Sequence, residues 1–301
     1  MNFEYVIKGE NIEKKFKGFT LDIPELKVPK GLATALIGEN GAGKSTLMNM
    51  LAGIRLDGKG TIRYFDAFEN DEREKDGNKE RIGYTGPGHY YLPSWTVGQV
   101  EDVSSLVFES FDKAKFEAIC EELAVFGDNK VDRKKKVSAL SDGTKMKVIL
   151  ANVLARETEL LIMDEPASPL DPLMRDKLCE MIQTYIEEGR GERSVFFSTH
   201  NVSDMENVTD YAIIMEHGQI VEEGLVEDLK EKYILIKGDA EDTEKAKEIL
   251  FTITTNNYGF EGICLASDLD KLAGMNVTKE IPSLYQISVA VMKANSLMGK
   301  R

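Results

Sequence analysis

Gly38-Glu39-Asn40-Gly41-Ala42-Gly43-Lys44-Ser45-Thr46 decides the fold of this chain. It follows the apolar run Leu32-Ala33-Thr34-Ala35-Leu36-Ile37 and opens onto Leu47-Met48-Asn49-Met50-Leu51-Ala52. Strand, glycine-rich loop and helix in that order form a phosphate-binding P-loop. Glycines leave backbone N–H groups free to curl around an anion, and the helix beginning near Lys44 aims its positive end at the same point. In such a loop Lys44 reaches the β- and γ-phosphates and the Ser45 hydroxyl sits on Mg²⁺. The loop residues Gly38, Glu39, Asn40, Gly41, Ala42, Gly43, Lys44, Ser45 and Thr46 are therefore candidate nucleotide contacts.

Working outward, the apolar runs 160–163 and 194–198 flank a helical stretch at 174–188, spacing that implies a parallel crossover. Residues 1–30 alternate as a few strands, 61–65 form another, and 70–81 reads as a charged surface loop. Helical spacing covers 98–126 and 142–155. The run Leu160-Leu161-Ile162-Met163 ends in Asp164-Glu165. Downstream of a P-loop, this pair divides the work: Asp164 for Mg²⁺ and Glu165 to polarise the attacking water.

The bulk numbers set limits. The 301 residues suffice for two domains, and the net charge of −14 argues against a nucleic-acid partner. The basic run Arg133-Lys134-Lys135-Lys136 reads as a solvated loop. Three scattered cysteines without CxxC spacing read as reduced thiols of a cytosolic protein. No apolar stretch approaches the ~20 residues of a membrane-spanning helix.

Leu140-Ser141-Asp142-Gly143-Thr144-Lys145-Met146-Lys147 precedes the Asp-Glu strand, and here the chain resembles the ATPase subunits of ABC transporters. Their signature is usually Leu-Ser-Gly-Gly-Gln, so Asp142 and Thr144 depart from it. The resemblance continues in Ser168-Pro169-Leu170-Asp171-Pro172, as the D-loop, and in Phe197-Ser198-Thr199-His200, whose His200 matches the switch histidine. It implies a P-loop NTPase ABC-ATPase α/β fold, with an antiparallel β subdomain, a helical subdomain at about 86–150 and a small C-terminal α/β extension. The ATPase domain spans 1–225 and the accessory domain 226–301, whose tail Ile281-Pro282-Ser283-Leu284-Tyr285-Gln286-Ile287-Ser288-Val289-Ala290-Val291 resembles a docked amphipathic C-terminal helix. It further implies ATP and Mg²⁺ as ligands, with Lys44, Glu165 and His200 catalytic and Ser45 and Asp164 on the metal. Phe16 would stack on adenine, and Ser141 and Gly143 would clamp a γ-phosphate held by the opposite subunit of a head-to-tail dimer. Asp142 is unhelpful near a phosphate unless it points away.

The family's Q-loop glutamine falls on Pro87, which has neither a side-chain acceptor nor an N–H. Gln99 lies too far along to replace it. Either a neighbour takes over, with Tyr84 and His89 as candidates, or the site hydrolyses slowly and serves as an ATP-driven clamp. Tyr90, Tyr91, Leu92 and Trp95 form an aromatic stretch suited to anchoring a membrane-spanning partner chain. The insert at 66–80, the Leu92-Pro93-Ser94-Trp95-Thr96-Val97 stretch, and Lys145 with Lys147 resemble exporters of the phenol-soluble modulin and antimicrobial-peptide type. That resemblance places the chain at the inner face of the cell membrane through its partner. Two rival readings stand beside it: a weakly hydrolysing ATP-clamp subunit paired with a related ATPase in an asymmetric dimer, which Pro87, Asp142 and Thr144 favour, and a soluble, non-transport ABC ATPase, which the single nucleotide domain and acidic charge oppose.

Overall fold

The structure, a computed structural model, describes residues 4–65, 76–87, 90–125 and 133–298. Strands β1 (Tyr5–Phe16) and β2 (Phe19–Pro29) form an antiparallel hairpin, and β4 (Lys59–Tyr64) joins the other edge of β1. The second sheet has six strands in the order β5-β6-β7-β3-β8-β9. These are β3 (Ala33–Ile37), β5 (Ile82–Thr85), β6 (Leu160–Asp164), β7 (Ser194–Thr199), β8 (Tyr211–Glu216) and β9 (Gln219–Leu225). All pairings are parallel except β8 with β9.

Every residue of β3, β6, β7 and β8 is buried, which explains why they read as unbroken apolar runs rather than as alternating strands. One face carries Leu36, Ile162, Phe196 and Ile213 onto α1 (Lys44–Leu51), which is held from its other side by Ile12, Leu21 and Ile23 of the hairpin. Leu47, wholly buried there, contributes about 1.5–3 kcal/mol. The opposite face carries Ile37, Leu161, Met163, Val195 and Phe197 into a core shared with helices. Those helices are α3 (Val97–Val107), α4 (Lys113–Glu122), α5 (Asp142–Leu154) and α6 (Pro172–Glu188).

Two local expectations are corrected. The charged loop expected at 70–81 contains helix α2 (Asp76–Arg81). Arg156 donates to the carbonyls of Lys79, Glu80 and Ile82 at 2.7, 2.9 and 3.3 Å, which satisfies acceptors a short helix leaves open. The helical stretch 98–126 divides into α3 and α4, because Asp112 caps a fresh start by accepting from the N–H groups of Ala114 and Lys115. Residues 66–75 of the insert lie outside the described residues, as does His89.

Beyond β9 come α7 (Val226–Lys232), β10 (Tyr233–Asp239), α8 (Thr243–Ala246), β11 (Thr252–Thr255), β12 (Gly259–Leu265), β13 (Val277–Glu280) and α9 (Leu284–Met298). The strands form an antiparallel sheet, β11-β12-β10-β13, over a small core of Ile236, Ala246, Leu250, Phe260, Cys264 and Leu272. Helix α9 sends Leu284, Ile287, Ala290 and Val291 into the main core instead, and its Leu284 N–H donates to Glu206 at 2.9 Å.

Candidate nucleotide site

The P-loop leaves the C-terminal end of β3, in the middle of the parallel sheet, where ligands of open α/β sheets bind. Gly43, the residue before α1, has φ +106°, and a Cβ there would lie 2.8 Å from Phe19 Cζ. Only glycine fits both constraints. Lys44 is nearly buried, and its ammonium donates to the carbonyl oxygens of Gly38 at 2.7 Å and Glu39 at 3.2 Å. Glu165 Oε1 stands 3.5 Å from the same nitrogen.

Asp164 and Glu165 separate at the end of β6 because Glu165 takes a left-handed conformation, φ +52°. Such a turn costs a non-glycine residue about 1–3 kcal/mol and persists where the surroundings enforce it. Ser198, in register with Asp164 on β7, supplies the enforcement. Its hydroxyl donates to Asp164 Oδ1 at 2.5 Å and accepts from the Glu165 N–H at 3.0 Å. The sequence reading missed Ser198; its signal was a serine as the last register partner of an acidic strand end. Asp164 Oδ2 is buried without a hydrogen-bond partner. Glu165 Oε2 lies 2.7 Å from His200 Nδ1.

These residues open into a cleft of about 900 Å³. Of the expected contacts, Phe16, Asn40, Gly41, Gly43, Lys44, Ser45, Thr46, Glu165 and His200 line it. Gly38, Glu39 and Ala42 build the loop behind, and Asp164 lies beneath. Phe16, 40% exposed, stands at the mouth with the Lys14 ammonium 5.6 Å and the Arg55 guanidinium 5.5 Å from its ring centre. Ser141 and Gly143 are not in the lining. Ser141 caps α5, its hydroxyl accepting from the Thr144 N–H at 3.2 Å and bonding Thr144 Oγ1 at 2.8 Å. Asp142 and Lys145 do line the cleft, joined at 2.9 Å. Asp142 thus meets its neighbour's positive charge locally, a pairing worth at most about 1 kcal/mol for so exposed a carboxylate. Asp171 caps α6 by accepting from the Met174 N–H at 3.2 Å.

A second cavity, of about 630 Å³, has Ile82 and Tyr84 of β5 in its wall. Tyr84, Tyr90, Tyr91 and Trp95 line it together with Arg156, whose guanidinium stacks 3.5 Å from the Phe108 ring centre. Burial lowers the Arg156 pKa to about 10. Gln99 has a local task, closing the reciprocal cap with Thr96 at the start of α3. Burial pushes the Cys120 thiol up to about 12 and the Cys179 thiol up to about 11, so both stay protonated at neutral pH. Among the described residues no helix is long and apolar enough to cross a membrane.

The ABC transporter family model matches residues 21–168. An energy-coupling factor transporter ATP-binding protein of Lactococcus lactis is 28% identical over 246 residues, covering 79% of this chain and 83% of that one. A bacitracin transport ATP-binding protein of Enterococcus faecalis is 30% identical over 233 residues, covering 77% and 73%. In fold, the chain is similar to a solved ATP-binding subunit of an ABC transporter, with a TM-score of 0.62 at 21% identity over 75% of this chain and 92% of that one. With its P-loop, its Asp-Glu strand end and these relatives together, the chain belongs to the ABC transporter family, as an ATP-binding and ATP-hydrolysing subunit.

Proposed function

We propose that this subunit binds MgATP in the P-loop cleft, closes on it as a head-to-tail pair, and drives a separate membrane-spanning subunit. The observation that carries this reading is the convergence of Lys44, Glu165 and His200, linked at 3.5 and 2.7 Å, on one end of the loop. In this reading Lys44 binds the β- and γ-phosphates. Glu165 takes the proton of the water that attacks the γ-phosphorus, and the bond to the ADP oxygen breaks. His200 orients Glu165 and that water. Phe16 supplies a ring for adenine, and Ser141 and Gly143 offer the helix start of α5 to the nucleotide of the opposite subunit.

The metal fits the residues present. Asp164 Oδ1 is satisfied by Ser198, while Oδ2 is buried and unpartnered, a costly arrangement for a carboxylate unless a cation lies near. Ser45 and Asp164 would hold Mg²⁺, which when bound neutralises phosphate charge. Positioning and electrostatics then carry the reaction.

The finer reading is an exporter of amphipathic peptides or other lipophilic antimicrobials, with residues 1–225 as the motor and 226–301 as an accessory module. Its support is the sequence resemblance and the relative named for bacitracin transport. The cavity lined by Tyr90, Tyr91 and Trp95, with exposed Leu92 nearby, suits a helix of the membrane partner.

Glu165→Gln tests the core of the proposal. Its hydrolysis is expected to fall about 10²–10⁴-fold, the usual weight of a positioned base. By size-exclusion chromatography with light scattering, the variant is expected to form dimers only with MgATP. Unchanged turnover would remove Glu165 from the reaction. A variant that binds ATP and stays monomeric would overturn self-pairing and point to a different ATPase as partner.

A further inference from the structure

The two cavities share Ile149 in their linings, and two tyrosines stand close to that boundary. Gly86 and Pro87 line the nucleotide cleft, while Tyr84 and Tyr90 line the second cavity. The rings of Tyr84 and Tyr90 lie 5.7 Å apart. Both hydroxyls occupy the space a side chain at Gly86 would need: a Cβ built there would sit 2.8 Å from each hydroxyl oxygen and 3.0 Å from Asp164 Cβ. The pair and Asp164 therefore crowd the same point of chain, Gly86.

The contacts continue into the P-loop helix. The Tyr84 hydroxyl donates to Asn49 Oδ1 at 3.1 Å, since an amide oxygen can only accept. The Asn49 amide in turn donates to the carbonyl oxygen of Ser45 at 2.7 Å, one turn earlier in α1. Polar contacts thus run from Ser45 through Asn49 to Tyr84, and from Tyr84 to the groove-facing Tyr90. Burial raises the pKa of both phenols, with the negative charge of Asp164 adding to it, so both keep their protons at neutral pH.

We propose that Tyr84 and Tyr90 are positioning residues that couple the groove to the Ser45 and Asp164 end of the nucleotide site, in place of the side chain that Pro87 lacks. The inference rests on the reading of Ser45 and Asp164 given above. Nothing in it requires either tyrosine to touch ATP. A partner segment that moves Tyr90 would shift Tyr84, Gly86 and Asn49 together, because packed neighbours move as a unit rather than deform singly.

Trp95 provides the readout: it is the only tryptophan of the chain and lines the same groove. The experiment uses the full chain and measures Trp95 emission on adding MgATP, with affinity measured separately by calorimetry. In the wild type, MgATP is expected to shift the emission. Tyr84→Phe, Tyr90→Phe and, from the other end, Asn49→Ala are expected to lose most of that shift. Their MgATP affinity should stay within about threefold, the scale of one hydrogen bond. A shift that survives all three substitutions overturns the coupling, as does a wild type that binds MgATP with Trp95 silent. Loss of MgATP binding in the tyrosine variants would make these residues part of the site itself and overturn the positioning role. A wild type that does not bind MgATP would instead defeat the functional proposal.

Discussion

The parallel sheet and the C-terminal antiparallel sheet are built from strands of similar length but do different work. In the parallel sheet β3, β6, β7 and β8 are buried along their whole length, and their C-terminal ends point the same way. The P-loop, Asp164, Glu165 and His200 follow from those ends and meet. In the C-terminal sheet neighbouring strands run in opposite directions, so their ends alternate between two edges. No group of three or more acidic, histidine or cysteine side chains suited to a metal forms anywhere among the described residues. Parallel topology concentrates chemistry at one edge, whereas antiparallel topology disperses it.

The strongest attempt to break this comparison is Phe260→Ala. Phe260 is 3% exposed in the small core of the C-terminal sheet. Its removal should cost about 3–5 kcal/mol, seen as faster hydrogen exchange in β10 and β12, with MgATP affinity unchanged. A loss of affinity would show that the two sheets act as one cooperative unit.

Ser198→Ala sharpens the other side. It removes the donor to Asp164 Oδ1 and the acceptor for the Glu165 N–H. Leaving these buried groups unpaired should cost about 1–3 kcal/mol in stability, and a thermal melt together with steady-state hydrolysis would show both falling. Stability that falls with hydrolysis unchanged would mean that Glu165 keeps its turn without Ser198.

The smallest effect belongs to the edge of the parallel sheet. Arg81, the last residue of α2 and just before β5, grips Glu159, just before β6, through two bonds of 2.6 Å. The Arg81 hydrogen bond holds the Glu159 pKa below its ordinary 4.5. A lowered acid pKa means that this contribution is fully present above the ordinary value and fades as pH falls toward the folded one. For a half-exposed pair it is about 0.2–1 kcal/mol. The melting-temperature gap between wild type and Glu159→Gln should narrow as pH drops from 6 through 4; a constant gap would mean the pair is carried by packing alone.

Much of this was legible beforehand. The glycine spacing of the P-loop, the apolar strands and the acidic pair after β6 are local chemistry, written in consecutive residues. The gap at Pro87 was legible too. Tyr84, three residues before it, was legible as a neighbour, but its bond to Asn49 and the approach of Asp164 were not, because those residues come from separate segments. The helix at 76–81 was missed because its Lys79 and Glu80 carbonyls are satisfied by Arg156, 77 and 76 residues away.

By itself, the sequence determined the glycine-rich loop, the order of the motifs along the chain and the family resemblance, since each rests on contiguous residues whose backbone preferences are short-ranged. Tertiary structure alone decided that Ser198 holds Asp164 and Glu165 in place and that α9 joins the main core rather than the small one. It also decided that the Tyr84 hydroxyl bonds Asn49 of α1 and that Tyr90 packs beside it. Those outcomes depend on side chains distant in sequence competing for the same buried volume and the same hydrogen bonds, which no local pattern records.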